Sequence, residues 1–389
     1  MRKVESLNKL RVGKRLFYLM GEDERILYKD IKIQLEKKYH ISMTNRDLII
    51  KRLISHLTQG DYKSSSIPRM GISVFRTDIK NFFPSVNKHR LYKKIIKANV
   101  LSHDSMQVIK NICFNKKIKG IPLGLPFSNH LADIYIEDLD NELIRSLSPI
   151  AYFRYVDDIL VLNYDFSHDE NERKAVEQKN QEIISTLAKK FKLEINTEKT
   201  VSSFYKFDKS RMNLNKDLHF VFLGYEFKTI NQKLHISIAP DKIKKYGNKV
   251  DGFFYRYKKS KKREIDFWRL YYQLVNTLHG VTTIDKNNKK MKLGMGYHYR
   301  FINDYSNLDD FKQQCIKQIY SLRLKARYRH LLLNIIGNNN GEIFFKYRYN
   351  YLNLTDRKME IISRRLSLKN PPKEKIGFIR QMFISLYNT

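Results

Sequence analysis

The sequence predicts an α+β protein in which a compact antiparallel sheet sits between helical, strongly basic flanks. Three observations carry that prediction. The β-prone apolar run from Tyr152 to Leu162 is split by the adjacent acids Asp157 and Asp158, which reads as strand, tight turn, strand. A second apolar run, Gly71 to Thr77, ends on a third acid, Asp78. On either side, apolar and charged residues alternate at helical spacing.

Taken in order, residues 1–70 read as mostly helical, most clearly from Lys29 to Tyr39 and from Arg46 to Leu57. Asp61 to Pro68 is a polar, serine-containing connector. Gly71 to Thr77 is a strand leading into Asp78. Leu91 to Lys119 is a basic helical stretch ending at Gly120, and Pro122 to Pro126 is a Gly/Pro-rich loop before a long helix over Ser128 to Leu147. After the acidic hairpin comes a charged surface helix from Asp165 to Lys192, then a short strand over Leu193 to Ile195. Val221 to Phe227 reads as a strand pair bent at Gly224. Beyond it lies a basic, mainly helical segment, in which Asn338-Asn339-Asn340-Gly341 marks a loop. No repeat recurs at a fixed period.

With 389 residues the chain can bury a substantial core divided into two or three subdomains. A hydrophobic content of 42% and an aromatic content of 13% exclude a disordered chain. The 74 Lys and Arg against 40 Asp and Glu leave a formal charge of +34. Self-repulsion on that scale is relieved by a polyanion, so nucleic acid is the expected partner, with an anionic membrane surface as the competing explanation. No apolar run approaches the roughly 18 residues of a membrane helix, and the basic, polar start lacks a signal pattern. Cys113 and Cys315 are the only cysteines and suit free thiols in a reducing cytosol. The expectation is a soluble cytoplasmic protein. Residues 228–389 hold 34 Lys and Arg against 12 Asp and Glu, so most of the excess charge lies there. Three runs in that region interleave rings with cations: Tyr255 to Arg263, Leu322 to His330, and Lys346-Tyr347-Arg348-Tyr349. Cations contact phosphates and rings stack on bases, although each run could also be a solvated helix face. In the first run, Lys258, Lys259, Lys261, Lys262 and Arg263 are the candidate nucleic-acid contacts.

Adjacent acids between two hydrophobic strands repel one another. Either the pair is an ordinary solvated turn, or a divalent cation removes the conflict. Asp78 favours the second reading, because a carboxylate at a strand end can meet a hairpin tip alongside it in an antiparallel sheet. Asp78, Asp157 and Asp158 would then hold two Mg²⁺ ions, or Mn²⁺ in their place. Nucleotidyl transfer needs such ions to lower the pKa of an attacking hydroxyl and to neutralise a triphosphate.

Five segments, in this order, resemble the palm and fingers of reverse transcriptases. They are Asp78-Ile79-Lys80-Asn81-Phe82-Phe83-Pro84-Ser85, Gly120 to Ala132, Tyr155-Val156-Asp157-Asp158, Leu193 to Thr200, and Phe222-Leu223-Gly224-Tyr225-Glu226-Phe227. The resemblance is close over residues 71–227 and loose at both ends. It implies a right-hand polymerase: a helical N-terminal and fingers region over 1–70, a fingers and antiparallel-palm core over 71–227, and a mainly helical thumb with a C-terminal helical extension over 228–389. It further implies that Asp78 and Asp157 bridge the metals, that Asp158 completes the acidic site, and that Lys199 acts on the leaving pyrophosphate. Ile79, Phe83, Gly124 and Arg76 would contact the nucleotide. Phe83 is the expected steric gate against a 2′-hydroxyl, with Phe82 as the alternative. Leu223, Gly224 and Tyr225 would seat the primer end.

Several features depart from the better-known members. Pro122-Leu123-Gly124 stands where many have Pro-Gln-Gly, so no glutamine is available there, which bears on fidelity and template choice. No clear fingers motif precedes Asp78. Arg69, Arg76 and Lys63 are candidates for the triphosphate by position, and Arg76 could equally be a salt-bridged strand residue. No RNase H pattern follows residue 227. The Ile121 to Asp133 run resembles bacterial abortive-infection and defence-associated (unknown-group) reverse transcriptases. That resemblance implies synthesis of DNA from dNTPs in antiphage defence on a dedicated non-coding RNA, with a partner protein or homo-oligomer possible and no membrane. Retron-type enzymes rank second, because their Asn-Ala-x-x-His and Val-Thr-Gly elements are absent. A template-independent or protein-primed DNA polymerase would share the same site.

Overall fold

The computed structural model describes residues 4–13, 15–39, 45–207, 216–285, 287–337 and 341–387. The chain divides into two units, Met1–Leu223 with Lys228–Leu234, and Gly224–Phe227 with His235–Thr389. Among the described residues no helix is long and apolar enough to cross a membrane.

In the first unit, β1 (Asn8–Val12) and β2 (Arg15–Leu19) pair antiparallel around a turn at Gly13. Helices α1 (Glu22–Lys38) and α2 (Arg46–Thr58) follow. The helical expectation for residues 1–70 is therefore met by α1 and α2, but residues 8–19 form a hairpin. Val12 pairs directly with Arg15, and Gly13 takes φ +58°, which an L side chain resists. Strand β3 (Ile72–Asp78) leads through Asn81, at φ +48°, into the single turn α3 (Phe82–Ser85). The predicted helical stretch 91–119 is two helices, α4 (Lys88–Ala98) and α5 (His103–Phe114). Asn99 at φ +47° ends the first, and the Ser102 side chain caps the second. The long helix α6 (Ser128–Leu147) has the expected limits. Next come β4 (Ala151–Tyr155), β5 (Asp158–Tyr164), α7 (Glu170–Lys190) capped by Asp169, β6 (Val201–Tyr205) and β7 (His219–Phe222).

Four of these strands form an antiparallel sheet in the order β4-β5-β3-β6. Its central strands are apolar on both faces: Ile72, Val74, Phe75, Ile159, Leu160, Val161 and Leu162 are all buried. A strand covered on both sides reads as a continuous apolar run, which is why both were visible in the sequence. Phe75, Ile159 and Val161 join one core with α1, α4, α5, α6 and α7, while α2 lies against β4. Leu193 to Ile195 is not a strand; Ile195 makes an isolated bridge to Ile79.

Beneath the acidic hairpin, Arg154 on β4 ties the sheet to α6. Its Nε donates to Asp140 at 2.7 Å, and Nη1 donates to Asp133 at 2.9 Å and to the Val156 carbonyl at 3.2 Å. Tyr152 donates to the other Asp140 oxygen at 2.7 Å. The two carboxylates hold Arg154 charged against burial.

The chain crosses between the units along β8 (Tyr225–Ile230) and β9 (Lys233–Ile238), whose tip turns through Asn231 and Gln232, both at positive φ. That tip belongs to the first unit, where Ile67 donates to Gln232 O and Leu234 to Ser65 O. The second unit continues with α8 (Pro240–Lys259), α9 (Glu264–Leu278), β10 (Gly280–Ile284), β11 (Lys290–Leu293), α10 (Met295–His298), α11 (Asp309–Ser321), α12 (Ala326–Ile336), α13 (Ile343–Lys346), β12 (Arg348–Asn350), α14 (Asp356–Leu366) and α15 (Lys375–Tyr387). Helix α9 is central, packed by α8, α12, α14 and α15. The sheet β11-β10-β12, with β10 and β12 parallel, departs from the mainly helical expectation. Its strands are three to five residues long, too short to announce themselves within a basic segment. The predicted Asn338 to Asn340 loop lies outside the described residues. Both cysteines are buried, and burial pushes each thiol up to about 12.

Replacing Arg154 with Met leaves Asp133 and Asp140 without their counter-charge. The expected cost is about 3–5 kcal/mol of stability, measured by urea unfolding; a loss under about 1 kcal/mol would show that the network does not support the sheet.

Candidate active site

The three acids meet at one end of the four-stranded sheet because of strand register. Asp78 closes β3 directly opposite Asp158, the first residue of β5. Tyr155 pairs with Asp158, leaving Val156 and Asp157 as the two central residues of the turn. Val156 takes φ +60°, a conformation that a β-branched residue strongly resists. Two hydrogen bonds hold it there, from Arg154 to the Val156 carbonyl and from the Ile79 N–H to the Asp157 carbonyl at 3.1 Å.

Each acid has a different electrostatic setting. Asp78 is 7% exposed; its Oδ2 accepts from Lys199 Nζ at 2.8 Å, and its Oδ1 is buried with no partner. Asp158 Oδ1 accepts from Arg76 Nη2 at 3.1 Å. Burial raises the Asp157 carboxyl above the usual range, the charges of Asp158 and Asp78 add to the effect, and Arg15 opposes it. Among the described residues, no three acidic, imidazole or thiol groups converge as a preformed metal site. Lys199 and Arg76 each draw one carboxylate to themselves. The donor set nevertheless suits a hard divalent cation: all its ligands are oxygens, one is an orphaned carboxylate oxygen, and one acid is destabilised when charged.

The remaining candidates divide clearly. Lys199, on a 3-10 turn over Thr197–Lys199, keeps its side chain 58% exposed while reaching Asp78. Arg76 takes the second of its two expected roles, a strand residue salt-bridged here to Asp158. Ile79 is 1% exposed, so only its backbone faces the turn. Phe82 is in the core at 2% exposed, whereas Phe83 is half-buried with its ring 5.6 Å from that of Phe82. Gly124 takes φ +96°, and a Cβ there would lie 2.6 Å from the Tyr18 carbonyl. The backbone that approaches Gly124 is thus that of β2, fastened by Tyr18 N–H to Leu123 O at 2.7 Å. Leu223, at φ +47°, has its carbonyl held by Arg46 Nη2 at 2.7 Å.

In the second unit, Gly224 takes φ +79° and lies close to the Tyr299 hydroxyl, while Tyr225 donates to His298 O at 3.1 Å. Lys258 donates to Gln318, Arg263 pairs with Asp266 at 3.5 Å, and Lys259 lies 5.9 Å from the Tyr255 ring centre. Lys261 and Lys262 are exposed. Arg69 rests over Phe207, Lys63 sits in the turn accepted by Asp61, and neither pairs with the three acids. The residue that sequence reasoning missed is Arg15, carried to the site by the β1–β2 hairpin. Its only trace in the sequence is weak: a Gly13-Lys14 turn after a short segment in which Leu10 and Val12 alternate with basic residues.

A family model described as reverse transcriptase (RNA-dependent DNA polymerase) matches residues 13–227, more than half of the chain. The chain belongs to the reverse transcriptase family. Its α+β fold, with helices around antiparallel sheets, is the polymerase fold class expected from the sequence. Among solved structures, this reverse transcriptase is similar to apo telomerase from Candida tropicalis truncated from its C-terminal domain, with a TM-score of 0.37 and 15% identity over 55% of this chain and 45% of that one. It is also similar to telomerase from Candida albicans in complex with a TWJ fragment of telomeric RNA, with a TM-score of 0.37 and 14% identity over 92% and 58% of the two chains. A third is apo telomerase from Candida tropicalis, with a TM-score of 0.40 and 12% identity over 92% and 60%. The chain therefore spans 45% to 60% of the length of these structures. No curated protein matches it.

An acid whose folded pKa is raised contributes stability at low pH that is lost as pH rises through that pKa. In the presence of a chelator, Asp157→Asn should therefore unfold at a higher temperature than the unsubstituted reverse transcriptase above the carboxylate range, and at the same temperature below it. Melting curves across pH measure this; a gap that persists in acid would assign it to another cause.

Proposed function

We propose that this reverse transcriptase is an RNA-directed DNA polymerase that extends a primer hydroxyl at Asp78, Asp157 and Asp158. The observation that carries this reading is the direct pairing of Asp78 with Asp158 beside the strained Val156-Asp157 turn. Asp78 and Asp157 would hold two Mg²⁺ ions, with Asp158 completing the acidic set. Bound there, the ions would supply Lewis acidity to the attacking 3′-hydroxyl and charge neutralisation to the triphosphate.

The chain's own groups supply the rest. Lys199 neutralises Asp78 in the free protein, and its exposed ammonium can turn to the leaving pyrophosphate and donate a proton. Arg15 and the β1–β2 hairpin bring a guanidinium to the acidic end, where it would meet the triphosphate oxygens. Arg76 stays with Asp158 and orients it. Half-buried Phe83, braced by Phe82, is the ring that would exclude a 2′-hydroxyl. Leu123 next to Gly124 replaces a glutamine contact with an apolar one, which supports a specialised enzyme. Together with the basic region 228–389, it favours a bacterial defence-associated polymerase that uses a dedicated non-coding RNA as template. Such an enzyme would work in the cytoplasm.

Asp157→Ala with Asp158→Ala should reduce dNTP incorporation below detection while leaving the chain folded, with an unfolding temperature no lower than that of the unsubstituted chain and RNA binding near its level. Incorporation by the double variant would place the chemistry elsewhere. Phe83→Ala or Phe83→Val should raise ribonucleotide use relative to deoxynucleotide use at least tenfold, about what a lost steric exclusion of 1–3 kcal/mol gives. An unchanged ratio in single-nucleotide extension would remove the gate.

A further inference from the structure

The third basic run, Lys346-Tyr347-Arg348-Tyr349, contains an arginine held in place without an acid. Arg348 opens β12 beside Gly280 of β10. Its guanidinium lies 4.8 Å from the centre of the Tyr297 ring, and Lys292 Nζ lies 5.3 Å from the same ring. A glycine makes room for it: a Cβ on Gly280 would sit 2.5 Å from Arg348 Nη1. Tyr297 is itself oriented by a 3.2 Å hydroxyl contact with Thr282.

Two other arginines, one laid on a ring and one mostly buried, are held by protein groups. Arg365 lies 3.7 Å from the Trp268 ring centre and donates to the Tyr272 hydroxyl, and Arg154 meets two aspartates. Arg348 differs: among the described residues it pairs with no carboxylate, and no protein oxygen accepts from its guanidinium. Burial and the neighbouring Arg300 both weaken its hold on charge. Both Arg348 and Lys292 are exposed, so their charges stand open to an anion from solvent.

We propose that Arg348 and Lys292, set around Tyr297, form a phosphate-binding site for a strand of RNA. The planar guanidinium fork matches two phosphate oxygens, Lys292 adds a point charge, and exposed Tyr347 offers a ring to a neighbouring base. The surplus of 34 cations over 12 acids in residues 228–389 favours a polyanion over a single carboxylate. This rests on the RNA-binding part of the proposed function and not on its chemistry.

The test is binding of a labelled single-stranded RNA to the full chain across a salt series, without dNTPs. Arg348→Gln should weaken binding about threefold to tenfold and lower the salt slope by about 0.7–1, the release expected for one phosphate. Gly280→Ala leaves the charge unchanged but places a methyl group 2.5 Å from Arg348 Nη1, displacing the guanidinium, and it should reproduce the loss. Lys358→Gln, on α14, removes one charge elsewhere and should have a smaller effect. Equal losses from Lys358→Gln and Arg348→Gln, or an unchanged slope in Arg348→Gln with normal thermal unfolding, would overturn the site. So would competition by polyglutamate as strong as that by unlabelled RNA, which would assign it to an acidic peptide. Primer extension, run separately, reports on the polymerase reading whichever way the binding falls.

Discussion

Repulsion among three carboxylates gathered at one sheet end is the constraint to which the first unit answers. Two unit charges at about 4 Å cost about 4 kcal/mol at an effective dielectric near 20. No hairpin would place Asp157 and Asp158 opposite Asp78 on its own account. Arg76, Lys199 and Arg15 supply the opposing charge, each from a different element. Arg154 acts from below, tying the turn to Asp133 and Asp140 of α6. The register at this end is held by specific pairings, the Arg76–Asp158 ion pair and the hydrogen bond from the Ile79 N–H to the Asp157 carbonyl.

Much of this was legible because the constraint is local. The acids interrupt apolar runs, and such interruptions are visible in one dimension. Strands β3 and β5, helix α6 and the bend at Leu223-Gly224 all followed from run length and glycine placement. The β1–β2 hairpin was not legible: its alternating residues are basic, and its apolar Leu10, Val12 and Leu16 are exposed rather than buried. Arg15 was missed with it, since the hairpin is placed by contacts distant in sequence, the attachment of Phe17 and Tyr18 to Leu123. The choice between Phe82 and Phe83 needed burial, which two adjacent rings cannot reveal from sequence. Likewise, spacing alone could not show that Gly124 yields to the backbone of Tyr18.

Charge in the second unit makes the same point from the other side. Composition identifies a basic region but does not say which cations are committed. In the run 258–263, Lys258 and Arg263 have protein partners, so part of that run holds the unit together. Arg348 lies in a sheet whose strands are too short to predict, and its isolation from acids is a property of three-dimensional neighbours. A residue's partner, more than its type, separates a structural cation from one left for a ligand.

The left-handed Val156 has a consequence for the directed evolution of this enzyme. Strain of that kind persists only where surroundings enforce it, and it is released by almost any change that loosens the turn. A selection for heat resistance alone, blind to turnover, would find some of its readiest gains at this hairpin tip. Heat-resistant variants obtained that way would accumulate at the one place where rigidity and activity are opposed.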